Sequence, residues 1–210
     1  HLMSLSTASE LNLLDPYRGD LPITSAVSPP YLFLSVETSE KLGDSVKVDP
    51  PVRSELDRRA LWAAVKRGRV DVFASNHTPK ARPGPHDLYW DVESGIPGSD
   101  TLLPLLMSAV KHGRMGLERF VEMCCEAPVQ LFGLEGKGRI EEGADADLIV
   151  FSEGVTSRMR KVPPYSGVDW TPYLGREAGP PPMLVLVGGR IVARDGVLSD
   201  DLQPGRQLVY

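Results

Sequence analysis

The stretch RVDVFASN, residues 69–76, constrains the fold more than any other part of the chain. It is a short apolar run of β-prone residues without the polar alternation of a half-solvated strand, as a parallel strand covered on both faces requires. A helix signature precedes it: Ser54 and Asp57 stand in a capping pattern, and Leu61, Ala64, Val65 and Gly68 recur at helical spacing. Arg58, Arg59, Lys66 and Arg67 fall on the remaining faces and are expected to form a solvated surface. Further upstream, Thr7 and Glu10 give a capping-box pattern ahead of Leu11, Leu13 and Leu14, so a helix begins near Ser6 and ends by Asp15-Pro16. LPITSAVSPPYLFL, with β-branched residues followed by prolines, reads as a strand running into a loop. The first 80 residues therefore order as strand, helix, strand, helix, strand, the pattern of an α/β fold with a parallel sheet.

Two helical stripes follow: Leu102, Leu105, Leu106 and Ala109 within 100–111, then Leu117, Phe120, Val121, Cys124 and Cys125 within 117–125. The character then changes. ADLIVF and MLVLVGGRIVARDGVL, punctuated by glycine turns and separated by a proline-rich loop over 160–183, predict short strands of a sheet or sandwich. The 19 prolines cluster in turn-like groups such as SPPY, DPPV and VPPY and imply long, structured loops.

Composition narrows the function classes. A hydrophobic content of 41% and charged content of 24% suit a globular protein with a sizeable core. The net charge of -5 opposes a polyanionic partner, so nucleic-acid binding is not expected. No apolar run approaches the roughly 18–20 residues of a membrane span, and HLMSLSTASE lacks the order of a signal peptide, so neither a membrane association nor a secreted fate is expected, and a cytoplasmic location is. The only cysteines, Cys124 and Cys125, are neighbours, poorly placed for a structural disulfide or a metal, and read as core thiols.

Asn76 and His77 stand where the buried strand meets a loop, the position that holds reacting groups in parallel α/β barrels. The plainer reading has Asn76 capping the strand and His77 hydrogen-bonding a loop backbone. His86 is expected in an exposed loop, and His112 beside the terminal carbonyls of a helix. Asp145 and Asp147 are expected to serve a turn.

Taken in order, the motifs resemble the C-terminal half of a dihydroorotase, a cyclic amidohydrolase of the amidohydrolase superfamily. HLMSLST is similar to that family's sixth barrel strand, VDPPVRSELDRRALW to its Asn-Pro-Pro-Leu-Arg loop, and VDVFASNHTPK to its eighth strand. SGIPGSDTLLPLL resembles its substrate loop, and GKGRIEEGADADLIVF with VLVGGRIVARDG its small β-domain. The last two also occur in hydantoinases and allantoinases, so another cyclic amidohydrolase of the allantoinase or hydantoinase type is the alternative that the resemblance leaves open. The resemblance implies residues 1–137 as the C-terminal portion of a TIM-type (β/α)8 barrel and residues 138–210 as part of a small β-sandwich domain.

The family's reaction is the reversible hydrolysis of dihydroorotate to N-carbamoyl-aspartate in pyrimidine biosynthesis. There zinc lowers the pKa of bound water and an aspartate of strand eight takes its proton. Carried onto this sequence, the strand-six metal histidine falls on Ser4, and a neutral hydroxyl is a poor zinc ligand. The catalytic aspartate falls on Asn76, whose amide is no general base. The motif's final histidine, which contacts substrate, falls on Lys80, and the asparagine of Asn-Pro-Pro falls on Asp49, a carboxylate that would repel an anionic substrate. Gly95, Ile96, Pro97 and Gly98, the substrate loop, match intact. The remaining family ligands precede the first residue here, and three strands cannot close an eight-stranded barrel, so completion by a missing N-terminal half, or a homo-oligomer, is expected. The coordinated substitutions imply a homologue that binds zinc weakly or not at all and is impaired in catalysis. The family precedent for inactive members makes aspartate carbamoyltransferase the expected partner of such a scaffold.

Overall fold

The computed structural model describes residues 1–84, 87–152, 156–160, 165–203, 205 and 208. His86, read as an exposed loop residue, and part of the VPPY turn lie outside the described residues. Helix α1 spans Ala8–Leu14, and its capping box forms as the sequence dictates: the Thr7 side chain accepts from the Glu10 amide, and Glu10 accepts from the Thr7 amide at 2.7 Å. A 3-10 turn over Asp15–Tyr17 ends it. Strand β1 is Ala26–Val27. The prolines after it start a helix rather than a loop, because Pro29 and Pro30 occupy the first turn of α2 (Pro29–Phe33), where no amide donor is needed. Helix α3 (Val36–Ser39) and a 3-10 segment over Glu40–Val46 lead to α4 (Glu55–Lys66), which Ser54 caps by accepting from the Asp57 amide.

Strand β2 is Val72–Phe73 and pairs in parallel with β1, with Ala26 opposite Val72 and Val27 opposite Phe73. Leu2 bridges Ser25 in parallel, so residues near Leu2, β1 and β2 form three neighbouring parallel segments. Both residues of β1 and of β2 are buried, which explains the continuous apolar run. Leu61 and Val65 of α4 are fully buried. Arg58, however, is half-buried and not part of a solvated face: it donates to Leu32 O at 3.2 Å and to both Glu55 oxygens.

Glu55 accepts from Arg58 at 2.5 and 2.6 Å and from Arg59 at 2.9 Å. The Arg58 hydrogen bonds, with a smaller contribution from Arg59 and against partial burial, hold the carboxyl down to about 2. Its folded value lies below the unfolded one, near 4.3, so its stabilisation is complete above that pH and is lost as pH falls toward the folded value. Glu55→Gln is expected to cost about 1–2 kcal/mol at neutral pH after allowance for solvent screening. In urea melts the gap to the unaltered protein should close between about pH 4.3 and 2; a gap that stays constant over that interval excludes the ion pair as its source.

Helix α5 (Ser99–Lys111) buries Leu105, Leu106 and Ala109 with Thr101 and Ser108. Helix α6 (Leu117–Val121) runs through a π turn at Glu122–Glu126 into α7 (Ala127–Phe132), which Gly133 ends in the left-handed region. The expected second stripe is corrected here. Phe120 and Met123 are the buried residues, Cys124 is partly buried, and Leu117 is 54% exposed. A π turn widens the helix locally and rotates the face that follows it, so a 3.6-residue pattern read through it misassigns positions beyond Val121, whereas Leu117 precedes the turn and stands exposed at the first residue of α6. Burial pushes the Cys124 thiol up to about 12, as for an inert core group.

The remainder is β-rich. β3 (Leu148–Val150), β6 (Leu184–Val187), β7 (Arg190–Arg194) and β8 (Val197–Leu198) form a four-stranded antiparallel sheet in the order β3-β6-β7-β8. Between β3 and β6 in sequence, β4 (Ser157–Arg158) and β5 (Glu177–Ala178) pair separately. The β6–β7 turn is Gly188-Gly189, both at positive φ, the backbone that a two-residue hairpin of right-handed twist needs. Lys137 bridges Asp145 at 2.9 Å and also pairs with Asp147, whose other oxygen accepts from the Gly188 amide at 2.7 Å, so both aspartates serve a turn. Among the described residues no helix is long and apolar enough to cross a membrane.

Candidate functional site at the strand ends

The three parallel segments deliver Ser4 and Asn76 just past their C-terminal ends. Both residues adopt left-handed backbone, at φ 60 and 48, and the only other described non-glycine residue with positive φ is Asp195, in the β7–β8 turn. Left-handed backbone is costly for a side chain other than asparagine or aspartate, and away from turns it concentrates at functional sites. The two positions that the resemblance assigns to metal ligand and base are thus the two at which the strand ends carry this conformation. Their side chains are half-buried, and the Asn76 amide nitrogen is buried with no hydrogen-bond partner among the described residues.

His77 is anchored. Its Nδ1 accepts from the Gly98 and Ser99 amides, each at 3.1 Å, and lies 3.2 Å from Ser99 Oγ. An acceptor Nδ1 in the neutral ring places the proton on Nε2. The plainer reading of His77, a bond to loop backbone, is therefore what the structure has: the ring ties strand β2 to the first turn of α5. Gly95, Ile96, Pro97 and Gly98 are all buried, and Ile96 bridges His77 in parallel while accepting from the Thr78 amide at 3.0 Å. Gly95, at φ 143, would set a Cβ 2.6 Å from Thr78 O, and a Cβ on Gly98 would lie against Ser75 O well inside van der Waals contact. These two glycines are required because backbone packs on backbone.

Asp49 is exposed, beside a buried Tyr31 whose hydroxyl donates to Pro50 O at 2.8 Å. Burial, and then the Asp49 carboxylate, push the Tyr31 hydroxyl well above its ordinary value against the pull of Arg53, so it stays a neutral donor. Arg53 Nε donates to Ser6 Oγ at 3.2 Å, linking the loop to the end of the first segment. Lys80 is paired with Glu93 at 2.9 Å, and its carbonyl accepts from Trp170 Nε1 at 2.8 Å. Lys47 clamps the intervening loop by donating to Tyr89 O at 2.7 Å and Val92 O at 2.6 Å, with its ammonium 4.5 Å from the Tyr89 ring centre. A cleft of about 220 Å³ opens here, lined by Val36, Val46, Val48, Val52 and Tyr89 among others. Tyr31 and Trp170 escaped sequence reasoning, because both stand in proline-rich segments with no periodicity, whereas Arg53 closes the segment that resembles the Asn-Pro-Pro-Leu-Arg loop.

Zinc requires imidazole, thiolate or carboxylate donors. The side chains brought to the strand ends are a hydroxyl at Ser4 and an amide at Asn76, and His77 Nδ1 is taken by two backbone amides. An amide nitrogen is a hydrogen-bond donor and repels a cation. Among the described residues no group of three histidine, cysteine or acidic side chains could hold a metal ion. The donor set that these residues supply does not fit zinc.

The amidohydrolase family model matches residues 31–192. A dihydroorotase of Halobacterium salinarum is 35% identical over 184 residues, 88% of this chain and 44% of that protein. A dihydroorotase of Methanothermobacter thermautotrophicus is 35% identical over 196 residues, covering 93% of the chain and 44% of the relative. The L-hydantoinase structure from Arthrobacter aurescens superposes with a TM-score of 0.87 at 29% identity, over 94% of this chain and 45% of that one. The chain thus spans a little under half the length of these relatives. With the family model matched over most of its residues and motifs in family order, this chain belongs to the amidohydrolase family and is a partial, dihydroorotase-like chain.

Proposed function

We propose that this chain is part of a dihydroorotase homologue of pyrimidine metabolism that does not catalyse the zinc-dependent reaction. In this reading residues 1–137 are the C-terminal portion of the barrel and residues 138–210 belong to the small β-domain. One observation carries the proposal: the left-handed strand ends at Ser4 and Asn76 present a hydroxyl and an amide whose buried nitrogen has no hydrogen-bond partner among the described residues. A neutral amide neither accepts the proton of a water nucleophile nor neutralises a metal. The features that survive, Gly95, Gly98 and the core stripes, serve folding. A scaffold or regulatory role beside aspartate carbamoyltransferase is the proposed use of such a homologue, and co-sedimentation of the two tests it.

The chain should show no zinc-dependent formation of N-carbamoyl-aspartate from dihydroorotate. Robust turnover that a chelator abolishes overturns the proposal. The double variant Ser4→His with Asn76→Asp is expected to take up more zinc, by metal analysis after dialysis, while still failing to hydrolyse dihydroorotate.

A further inference from the structure

We propose that the cleft between α3, the Glu40–Val46 segment and the loop at Tyr89 is a binding site for a neutral, single-ring small molecule that carries one hydroxyl or carbonyl group. The site is separate from the strand ends: Ser4, Asn76, His77 and Lys80 are not part of its wall, and the proposal does not depend on the reading of them. The wall is mainly aliphatic, from Val36, Val46, Val48, Pro51 and Val52, with Tyr89 beside them. Val48 is buried, and Val46 and Val52 pack against the core, whereas Val36 is 62% and Tyr89 46% exposed. The cleft therefore runs from the edge of the core to the surface.

The wall is fixed by bonds of its own. The Ser35 side chain caps α3 by accepting from the Thr38 amide, and the Val36 amide donates to Arg53 O at 2.9 Å. Lys47 donates to Tyr89 O and Val92 O, and its carbonyl accepts from the Gly95 amide at 2.9 Å. A pre-formed site loses little freedom when a ligand enters. Ser39 is also part of the wall. It is only 3% exposed, and its hydroxyl is buried with no hydrogen-bond partner among the described residues.

Size and chemistry define the ligand. A volume of about 220 Å³ is below the roughly 300–1,000 Å³ of pockets that take drug-sized molecules. It exceeds the roughly 150 Å³ of a cavity that takes up benzene, so one ring with a small substituent fits. The charged residues of the wall are Glu40 and Lys47, one of each sign, and Lys47 already spends two of its ammonium donors on backbone carbonyls, so a neutral molecule suits the cleft better than an ion. A buried hydroxyl without a partner is costly. A ligand oxygen removes that cost, because a hydroxyl both donates and accepts. An apolar ring bearing one such oxygen thus matches the aliphatic wall and Ser39 together.

Phenol and toluene, which differ by a hydroxyl in place of a methyl group, are the probes. Titration of the protein with each, followed through the valine methyl signals in proton–carbon NMR spectra, should show saturable one-to-one binding with shifts concentrated at Val36, Val46, Val48 and Val52. Phenol is expected to bind about fivefold more tightly than toluene, the size of one net hydrogen bond. Ser39→Ala should abolish that preference while toluene still binds, and it should melt no lower than the unaltered protein, because a buried hydroxyl without a partner adds nothing to stability. Val36→Trp, at an exposed position, should fill the mouth of the cleft and remove the binding of both probes. The proposal is overturned by shifts that do not saturate, by equal affinities for phenol and toluene, by a phenol preference that survives Ser39→Ala, by a clear fall in the Tm of that variant, or by full binding in Val36→Trp.

Discussion

Leu105→Ala is expected to lower the free energy of unfolding by about 3–4 kcal/mol. Leu105 is fully buried in the core cluster with Leu106, Leu61 and Val65, and its removal leaves a cavity that neighbouring helices fill only in part. Leu117→Ala provides the contrast. On the sequence pattern both leucines belong to core stripes, but Leu117 is 54% exposed, and its loss should change stability by no more than about 0.5 kcal/mol. Urea unfolding of the two variants decides the matter: similar losses would mean that the face of α6 is not turned as described.

Gly98→Ala is the second large effect, expected at about 3 kcal/mol. Backbone conformation is not the obstacle, since φ at Gly98 is -137. The obstacle is Ser75 O, a backbone atom of strand β2's continuation that cannot move aside. The added methyl should pry α5 from the strand end and lengthen the bonds from the Gly98 and Ser99 amides to His77. Gly113→Ala is the control: its φ is +68 and nothing lies near its Cβ, so it should cost only about 1 kcal/mol. Hydrogen exchange at Gly98 and Ser99 gives the local readout. A Gly98→Ala protein with undisturbed Tm and unchanged protection there would show that the close backbone packing is not needed.

Local rules carried much of the fold. Thr7 with Glu10, and Ser54 with Asp57, announced two helix starts because capping is a short-range bond between residues three apart. The apolar run at Val70–Phe73 announced a strand covered on both faces. Sequence reasoning failed where the deciding event was not local. Prolines that read as a loop begin α2, and the π turn at Glu122–Glu126 shifted the helix face. Arg58 read as solvated because periodicity does not reveal that Leu32 O awaits it across α2.

The candidate site divides in the same way. The sequence by itself determined the residue types at Ser4, Asn76, Lys80 and Asp49, and hence the absence of a base and of a good metal donor at Ser4 and Asn76. It also determined the strand-to-loop position of Asn76 and His77, whereas the need for small residues at Gly95 and Gly98 came from the packing of Thr78 O and Ser75 O against them. Only the tertiary structure decided that Ser4 and Asn76 share left-handed strand ends, that His77 is spent holding α5, and that Lys80 is paired with Glu93. The physical reason is range: caps, turns and periodicities are fixed by neighbours within one or two turns, whereas charge balance and donor satisfaction depend on groups that meet only after folding.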